Sequence, residues 1–379
     1  MLTRRRRFAS ALTIVICLTI ASFTTPAPRA AVSLPAKLTD QEFWTLTEQL
    51  SEPNGSFRSD NFLSNERGYQ FVIADLVSRI KSGGVYLGVG PEQNFPYIVA
   101  LKSRMAFIID VRRGNLHEQL LYKALFEMSA DRADFLSRLF SRKRPAGLSQ
   151  KSTVAELFAA YDDVRASDDL YKENLRAMTA WLTKKHRFRL SVDDIRGIEY
   201  VYHDAFYVGG PNLNYSMGGG AGRSGNAPTY QELMLANDGS GLNRGYLATE
   251  ENFAFLKNLE TRNLLVPVVG NFGGPKAIRA VGKYVKDRGG TVLAFYLSNV
   301  EQYLNQDQLW GNFCASVATL PLDETSTYIY SGRGGPIASS GGFNGNGGGF
   351  GGFGRAGGGL QTSIRPILGE ARRCAGDLR

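Results

Sequence analysis

The sequence predicts an α/β fold: a Rossmann-like, mostly parallel sheet with helices on both faces, a long helical insertion and a Gly-rich flexible C-terminal segment. Three observations carry this prediction. A strand, a glycine turn, a helix and a second strand follow one another within residues 83–112. Two further apolar runs flank a helical pattern within residues 264–300. Hydrophobic residues make up 43% of the 379-residue chain and charged residues 21%, which is the balance of a globular protein with a core.

The first half of the chain supplies the first strand–helix–strand unit. "DQEFWTLTEQL" and "GYQFVIADLVSRI", within residues 40–80, repeat apolar residues at helical spacing and predict two helices joined by a loop. A strand is predicted over Val85 to Val89, a helix over "FPYIVALKSRM", and a short buried strand over "AFIIDV", which ends near Asp110.

The second half resumes the alternation after a helical insertion at about residues 117–260. "LLVPVVG" and "TVLAFYL" predict strands on either side of the helix "GPKAIRAVGKYVKDRGG", and "YIYS" is a candidate fifth strand. We therefore expect one domain over residues 38–331. The alternative is two independent domains.

The two ends of the chain differ in composition from this domain. Residues 1–31 combine "RRRRF" with a short apolar run and small residues, which predicts a signal peptide, with a twin-arginine route as one option. The alternative is a retained membrane anchor, the one case in which we expect membrane contact. Residues 332–360 are a Gly-rich, low-complexity loop, with 15 glycines between positions 332 and 359, and residues 361–379 form a C-terminal tail. The expected location is the periplasm or cell envelope.

Charge and composition bear on the partners. The formal charge is +9, but residues 1–30 hold five arginines and no acid, so the remainder has 39 basic against 35 acidic residues. We expect no dedicated nucleic-acid binding, since phosphate tracking needs clustered basic residues. No metal-ligand spacing involves the 3 histidines, so no metal is expected. Cys314 and Cys374 are left after cleavage, either paired in a disulfide or as free thiols. The sequence gives no indication of the oligomeric state.

The glycine turn after the first predicted strand is the main candidate for a cofactor site. Gly88 and Gly90 allow a ligand to approach the backbone, and Asp110 ends the next strand, where an acid meets a ribose in such folds. The third glycine of the dinucleotide motif is absent, because Pro91 and Glu92 follow Gly90. Pro91 removes one backbone N–H donor from the turn, and Glu92 would repel a pyrophosphate, so NAD is disfavoured.

These residues carry a resemblance to a known fold family. "VYLGVG" and "FIIDV" resemble the first two motifs of class I S-adenosylmethionine-dependent methyltransferases, and "VPVVGNF" is similar to their third-strand segment. The resemblance implies a cofactor site lined by Gly88, Gly90, Glu92, Asp110, Asn271 and Phe272. Tyr86 stands where that family usually has an acid, and the insertion has no counterpart in the simple fold. "YLGVGPEQNF", "GNFGGPKAIRAVGKYVK" and "YLSNVEQYL" more closely resemble a bacterial and plant family related to this fold, which implies no particular activity.

Five further residues are candidates for contact with a ligand in the cleft. Ser298, Asn299 and Glu301 follow the predicted fourth strand, although Ser298 or Asn299 is equally suited to cap a helix whose first turn holds Glu301. Glu66 lies in "LSNERG", where Ser64 or Asn65 is expected to cap the second helix, and could fold over the cleft. Arg112 could bind an anionic group or form a surface ion pair, as could Arg113.

The expected function is therefore that of a methyltransferase-like protein, with S-adenosylmethionine or no cofactor bound and with an unknown substrate. The alternative is an exported, non-catalytic binding or scaffold protein with a degenerate methyltransferase fold. Whether the protein is an enzyme stays open. The predicted export conflicts with a cytoplasmic cofactor. Three explanations remain: export of a folded, loaded protein, a cytoplasmic domain on an anchor, or a cleft that has lost the cofactor.

Overall fold

The structure is a computed structural model that describes residues 33–215, 227–332 and 360–377, with side chains to residue 373. The predicted signal segment 1–31 and the Gly-rich residues 333–359 lie outside the described residues, as does the side chain of Cys374. Cys314 is disulfide-bonded. No helix in the described part of the chain is both long and apolar enough to cross a membrane.

A six-stranded sheet with the order β3-β2-β1-β4-β5-β6 forms the centre of the fold. The first five strands are parallel, and β6 is antiparallel to β5. This architecture confirms the predicted α/β class with a mostly parallel sheet. The strands are β1 (Val85–Gly88), β2 (Met105–Asp110), β3 (Leu265–Val269), β4 (Val292–Ser298), β5 (Thr327–Gly332) and β6 (Gln361–Pro366).

The helices surround this sheet. In chain order they are α1 (Asp40–Leu50), α2 (Ile73–Arg79), α3 (Asn94–Ala100), α4 (Arg113–Met128), α5 (Arg132–Leu139), α6 (Val154–Tyr161), α7 (Asp168–Ala180), α8 (Val192–Tyr200), α9 (Tyr230–Leu235), α10 (Glu250–Thr261), α11 (Ala277–Lys286), α12 (Val300–Gln306), α13 (Trp310–Val317) and α14 (Ile367–Asp377). Two π-helical stretches, Trp181–Lys185 and Val201–Tyr207, continue α7 and α8.

The connections put helices on both faces of the sheet. The crossovers from β1 to β2 and from β2 to β3 run in one direction along the sheet, and those from β3 to β4 and from β4 to β5 run in the other. Crossovers between parallel strands are right-handed almost without exception. As a result α3 and α4 cover one face, while α11 and α13 cover the opposite face. All residues of β1, β2 and β3 are buried, as expected for strands covered on both sides.

The helical insertion lies between β2 and β3. Helix α4 is the crossover from β2, and α5 to α10 follow it before the chain returns to the sheet at Leu265. An aromatic cluster joins this insertion to the domain: Phe95 on α3 contacts Tyr122 and Phe126 on α4 and Tyr246 in the loop before α10, with ring centroids 5.1 to 5.6 Å apart. The insertion and the sheet therefore share one core.

Candidate functional site

A cavity of about 540 Å³ opens at the carboxyl ends of β1, β2, β3 and β4. The chain crosses from β3 to β4 past two intervening strands, so the strand order reverses between β1 and β4. Ligands of open α/β sheets bind at such a reversal. The residues that the four strand ends contribute to the cavity are Val89, Gly90, Pro91, Asp110, Val111, Arg112, Gly270, Asn271, Phe272, Ser298, Asn299 and Val300.

The turn after β1 is held from behind by Asn94, the first residue of α3. Its amide nitrogen donates to the carbonyl oxygens of Val89, Gly90 and Pro91 at 3.0, 3.3 and 2.7 Å. Its Oδ1 accepts from the Tyr86 hydroxyl at 2.9 Å. The polar groups of this turn are therefore satisfied from inside the protein, and the turn has a fixed shape.

The two glycines of the turn are required for different reasons. A Cβ on Gly88 would lie 1.9 Å from Asn94 Oδ1, so this glycine makes room for Asn94, and Gly88 does not line the cavity. Gly90 has a φ of +79°, which favours glycine, and a Cβ there would meet only Asn61 Nδ2 at 3.5 Å. Only Gly90 borders the space that a ligand would enter.

Asp110, at the end of β2, lines the cavity beside this turn. Its Oδ1 accepts from the backbone N–H of Arg112 at 2.9 Å and lies 3.4 Å from Arg112 Nε. The Arg112 Nη1 donates to the Asp60 carbonyl oxygen. No described residue donates to Asp110 Oδ2. The carboxylate is thus held in place through one of its two oxygens.

The strand ends of β2 and β3 are partly filled by the loop that follows α1. The Glu52 carboxylate accepts from the backbone N–H groups of Lys276 and Ala277 at the start of α11, both at 2.9 Å, and from that of Asn271 after β3 at 3.0 Å. Asn54 Oδ1 accepts from the backbone N–H of Arg113 at 2.7 Å, at the start of α4. Helix N-termini attract anions. Here the chain's own side chains already occupy both positions.

The ends of β1 and β4 have a different arrangement. Gln93 Nε2 donates to the Tyr296 hydroxyl oxygen at 2.6 Å. The Tyr296 hydroxyl and the Ser298 hydroxyl both donate to Glu66 Oε1, at 2.7 and 2.6 Å. Glu66 is fully buried, whereas Gln93 and Ser298 line the cavity. Gln93 Oε1 is buried without a hydrogen-bond partner among the described residues.

Two further carboxyl groups lie behind the cavity without lining it. Glu92 and Glu118 are buried, and no described residue donates to their carboxyl oxygens with normal hydrogen-bond geometry. Burial raises the pKa of Glu92 to about 8, although nearby backbone N–H groups, its own and that of Ser64, lower it in part. Burial, and then the charge of Glu92, raise the pKa of Glu118 well above its usual value. The interior beside the glycine turn is therefore rich in acids.

The outer wall of the cavity is formed by side chains from the loop after α1 and from α12. Phe57 packs edge-on against Tyr303, with ring centroids 5.0 Å apart. Arg58 Nη2 donates to the Tyr303 hydroxyl at 2.7 Å. These three residues line the cavity opposite the strand ends, so they lie where they could cover a bound ligand.

The structure separates the residues predicted from the sequence into two groups. Those that line the cavity are Gly90, Asp110, Arg112, Asn271, Phe272, Ser298 and Asn299. Those that do not are Gly88, Glu92, Glu66 and Glu301. Glu66 lies beneath the end of β4 and not over the cleft, and Glu301 forms an ion pair with Arg365 on β6.

The predicted helix caps fare differently. Asn299 directly precedes α12 and Glu301 lies in its first turn, as expected for a helix start, but the Asn299 side chain makes no capping hydrogen bond. The expectation that Ser64 or Asn65 caps the second helix is wrong, because α2 begins only at Ile73, after a series of turns. Ser64 Oγ instead accepts from the backbone N–H of Glu66 at 3.1 Å. Arg113 forms an ion pair with Asp194 of the insertion.

Sequence analysis missed Glu52, Asn54, Gln93, Asn94 and Tyr296. The polar pair Gln93 and Asn94 directly follows the glycine turn, and this was a signal that could have been used. "SEPNGS" was predicted as a loop, but nothing local shows that it reaches helix N-termini more than 50 residues away along the chain. Within the described ranges, no group of three histidine, cysteine or acidic side chains is placed to hold a metal ion.

Comparison with known proteins gives one result for the family. No curated protein matches this chain. A family model described as a domain of unknown function (DUF7790) matches residues 61–340. The match spans the ends of β1 to β4 that line the cavity, and it covers well over half of the sequence. It is not a methyltransferase family. The chain belongs to the DUF7790 family.

Proposed function

We propose that the cleft at the ends of β1 to β4 binds an adenosyl ligand without phosphate, and that S-adenosylmethionine is the ligand to test first. The observation that carries the proposal is the free Oδ2 of Asp110 beside the Gly90 turn, in a cavity of about 540 Å³. A carboxylate at this position suits the two hydroxyls of a ribose. The volume is in the range of small-molecule sites.

We propose a ligand without phosphate because the N-termini of α11 and α4 are already occupied by side chains of the protein. Glu52 and Asn54 already accept from the backbone N–H groups at the starts of α11 and α4. A pyrophosphate would have to displace a carboxylate and would also approach the acid-rich interior around Glu92. A sulfonium or an ammonium group is compatible with that interior.

Aromatic and amide groups on the cavity wall support a planar base. Phe272, after β3, lines the cavity, and Phe57 and Tyr303 face it from the other side. Asn271 uses its Oδ1 to accept from the backbone N–H of Gly273 at 2.9 Å, and no described residue accepts from its Nδ2. That amide can therefore donate to a ring nitrogen of adenine.

A methyltransferase-like activity is the reaction class that fits such a ligand. Methyl transfer requires chiefly that the nucleophile and the sulfonium be aligned, so it needs no dedicated acid–base pair. The acceptor substrate is not identified by any contact in the cleft.

The second candidate is a non-catalytic binding protein with the same fold. It is favoured by the pairing of Asp110 with Arg112 and by the intrusion of Glu52 and Asn54, both of which reduce the polar groups left for a ligand. Under this alternative the cleft binds none of the adenosyl compounds.

Thermal unfolding of the purified protein distinguishes the two. S-adenosylmethionine, its demethylated product S-adenosylhomocysteine, and NAD would each be added in turn. A ligand at 100 times its dissociation constant should stabilise the fold by about 2.7 kcal/mol, and we expect this for the two adenosyl compounds and not for NAD. Asp110→Asn should abolish the shift. Asp287→Asn removes the same charge from a half-exposed ion pair with Lys283, directly after the last residue of α11. This variant should keep the ligand-induced shift. No shift with either adenosyl compound supports the non-catalytic protein.

Export of the protein stays a prediction, because residues 1–31 lie outside the described structure. Cell fractionation with antibodies against the folded domain would measure it. A mature protein in the periplasm that lacks residues 1–31 would favour the binding protein or a cofactor carried through the membrane. A cytoplasmic domain would place the adenosyl ligand within reach.

A further inference from the structure

The inner end of the cleft contains a chain of four hydrogen-bonded side chains whose hydrogens can be assigned. Gln93 is linked to Tyr296, Tyr296 to Glu66, and Ser298 to Glu66, with donor–acceptor distances of 2.6 to 2.7 Å. The three residues Gln93, Tyr296 and Glu66 are buried. Only Gln93 and Ser298 reach the cavity.

Glu66 determines the direction of each hydrogen bond. A carboxylate only accepts, so both hydroxyls must direct their hydrogens to its Oε1. Burial, and then the charge of Glu66, raise the pKa of Tyr296 well above its usual value, so Tyr296 keeps the proton that it donates. The Tyr296 oxygen then has only lone pairs left, and these accept from the Gln93 amide nitrogen.

This direction fixes what the cleft presents to a ligand. With its nitrogen turned inward, Gln93 points its Oε1 away from Tyr296, and this oxygen has no partner among the described residues. Ser298 donates its only hydroxyl hydrogen to Glu66, so toward a ligand its oxygen can only accept hydrogen bonds. At the inner end of the cleft these two residues therefore carry lone pairs to which no described residue donates, and the Oε1 of Gln93 is itself buried.

The backbone at Ser298 supports a functional role for this position. Ser298 has a φ of +49°, in the left-handed region that serine rarely adopts. The pairing of β4 with β5 is irregular between Tyr296 and Ser298. In this conformation the Ser298 hydroxyl donates to Glu66. Strained residues of this kind persist where the surroundings hold them and often mark binding sites.

We infer that Gln93 Oε1 and Ser298 Oγ form a binding site for a cationic group of the ligand, such as a primary ammonium, with Glu66 supplying the negative charge behind it. Two arginines, Arg58 and Arg112, also line the cavity: Arg58 donates to the Tyr303 hydroxyl, and Arg112 forms an ion pair with Asp110, while its buried Nη2 has no partner among the described residues. An ammonium donates three hydrogens and would satisfy both free acceptors. A carboxylate or phosphate would face two acceptors and a buried charge. The inference deepens the proposed function and depends on it only for the adenosyl part of the ligand.

Crystals of the full chain soaked separately in rubidium chloride and in sodium bromide test the site without any organic ligand. Rubidium is a close match to ammonium in size and charge, and both ions are located by anomalous scattering. We expect a rubidium peak within contact distance of Gln93 Oε1 and Ser298 Oγ, and no bromide there. Bromide at this position, or the absence of rubidium, would overturn the inference.

Variants connect that peak to the residues named. Glu66→Gln removes the charge with little change in shape and should reduce the rubidium peak to background. Glu260→Gln removes another buried carboxyl, beside Lys123 and outside the cavity, and should leave the peak unchanged. If Glu66→Gln does not fold, Ser298→Ala, which removes one acceptor at the cavity surface, should weaken the peak. An undiminished peak in the variant tested would contradict the assignment.

Calorimetry separates failure of this inference from failure of the proposed function. S-adenosylhomocysteine should bind at least ten-fold more tightly than an analogue that lacks its amino group, and Glu66→Gln should bring that ratio close to one. Equal binding of both compounds by the unmodified protein overturns the cationic site and leaves the adenosyl site intact. If neither compound binds while rubidium does, the proposed function fails and the cationic site stands.

Discussion

Two glutamates near the carboxyl edge of the sheet are in opposite situations. Glu52 accepts three backbone hydrogen bonds, two at the start of α11 and one from Asn271, with distances of 2.9 to 3.0 Å. Glu92 follows the glycine turn of β1, is 1% exposed and has no hydrogen-bond partner of normal geometry among the described residues. Both side chains carry the same functional group, but Glu92 is more deeply buried than Glu52 and has fewer N–H donors within hydrogen-bonding reach.

The difference divides the cleft into two halves. At the ends of β2 and β3 the chain's own side chains, the Glu52 carboxylate at α11 and the Asn54 amide at α4, occupy the helix N-termini, so we expect no phosphate to bind in that half. At the ends of β1 and β4 acceptors are left without partners, and buried acids stand behind them. A ligand that brings hydrogen-bond donors or positive charge would complete the second half and leave the first undisturbed.

The largest expected effect concerns the pH dependence of stability at Glu92. The pKa of this group is about 8 in the folded protein against 4.5 as the ordinary value, so the folded state holds one more proton between these limits. The contribution of Glu92 to the free energy of unfolding is therefore fully present below pH 4.5. It falls by about 1.4 kcal/mol per pH unit as the pH rises to 8. Glu92→Gln should remove this loss and be several kcal/mol more stable than the unmodified protein at pH 9, measured by urea unfolding.

Glu127 is a buried glutamate whose pKa is shifted in the direction opposite to that of Glu92, so its variant should show the opposite pH dependence of stability. Burial raises the pKa of Glu127, but the hydrogen bond from His186 and the charge of Lys123 outweigh burial and lower the pKa to about 2. Its contribution is present above pH 4.5 and is lost as the pH falls toward 2. Glu127→Gln should therefore be less stable than the unmodified protein at neutral pH. Parallel pH profiles for Glu92→Gln and the unmodified protein would mean that Glu92 is not the unsatisfied acid described here.

The second prediction compares Gly88 and Gly90, the two glycines at the end of β1. Gly88→Ala places a Cβ 1.9 Å from Asn94 Oδ1 and should cost about 3 kcal/mol of unfolding free energy, because Asn94 must give up its bonds to the turn. Gly90→Ala meets no close atom and should cost about 1 to 2 kcal/mol for its left-handed backbone. Chemical denaturation measures both. Equal costs would contradict the separate roles assigned to the two residues.

The third prediction concerns the half of the cleft at the ends of β2 and β3, where Glu52 occupies a helix N-terminus. Glu52→Ala leaves three backbone N–H groups without their carboxylate, two at the start of α11 and one at Asn271, and should cost about 1 to 2 kcal/mol. Phosphate should then raise the melting temperature of the variant and not that of the unmodified protein, because the vacated position is a helix N-terminus. Glu173→Ala, an exposed change on α7, is the control for general salt effects. A phosphate response in the unmodified protein would contradict the expectation that phosphate does not bind in this half.

Much of the central sheet could be predicted because its strands carry a local signal. Val85–Gly88, Met105–Asp110 and Leu265–Val269 are continuous apolar runs bounded by turns, as buried parallel strands are. Strand β6 and helix α14 were treated as a C-terminal tail. The strand Gln361–Pro366 is half-exposed at the sheet edge and holds Ser, Thr and Arg, so no apolar run marks it.

The site was predicted less completely than the fold. Strand ends locate Asp110, Asn271 and Ser298, since their position follows from the order of elements. The bond between Ser298 and Glu66 joins residues 232 positions apart, and its existence depends on how the loop before α2 packs. No local pattern encodes that packing. The π-helical turns after α7 and α8 were likewise hidden inside continuous helical periodicity.

The antiparallel pairing of β6 with β5 has a consequence for proteolysis. Six residue pairs, from Thr327 with Pro366 to Gly332 with Gln361, seal an edge that would otherwise be bare. A protease cut between residues 333 and 359 would leave the C-terminal fragment attached through this ladder, so the nicked protein should still elute as one particle under native conditions. A chain that stops at residue 332 would instead present its outermost strand to other molecules and should aggregate.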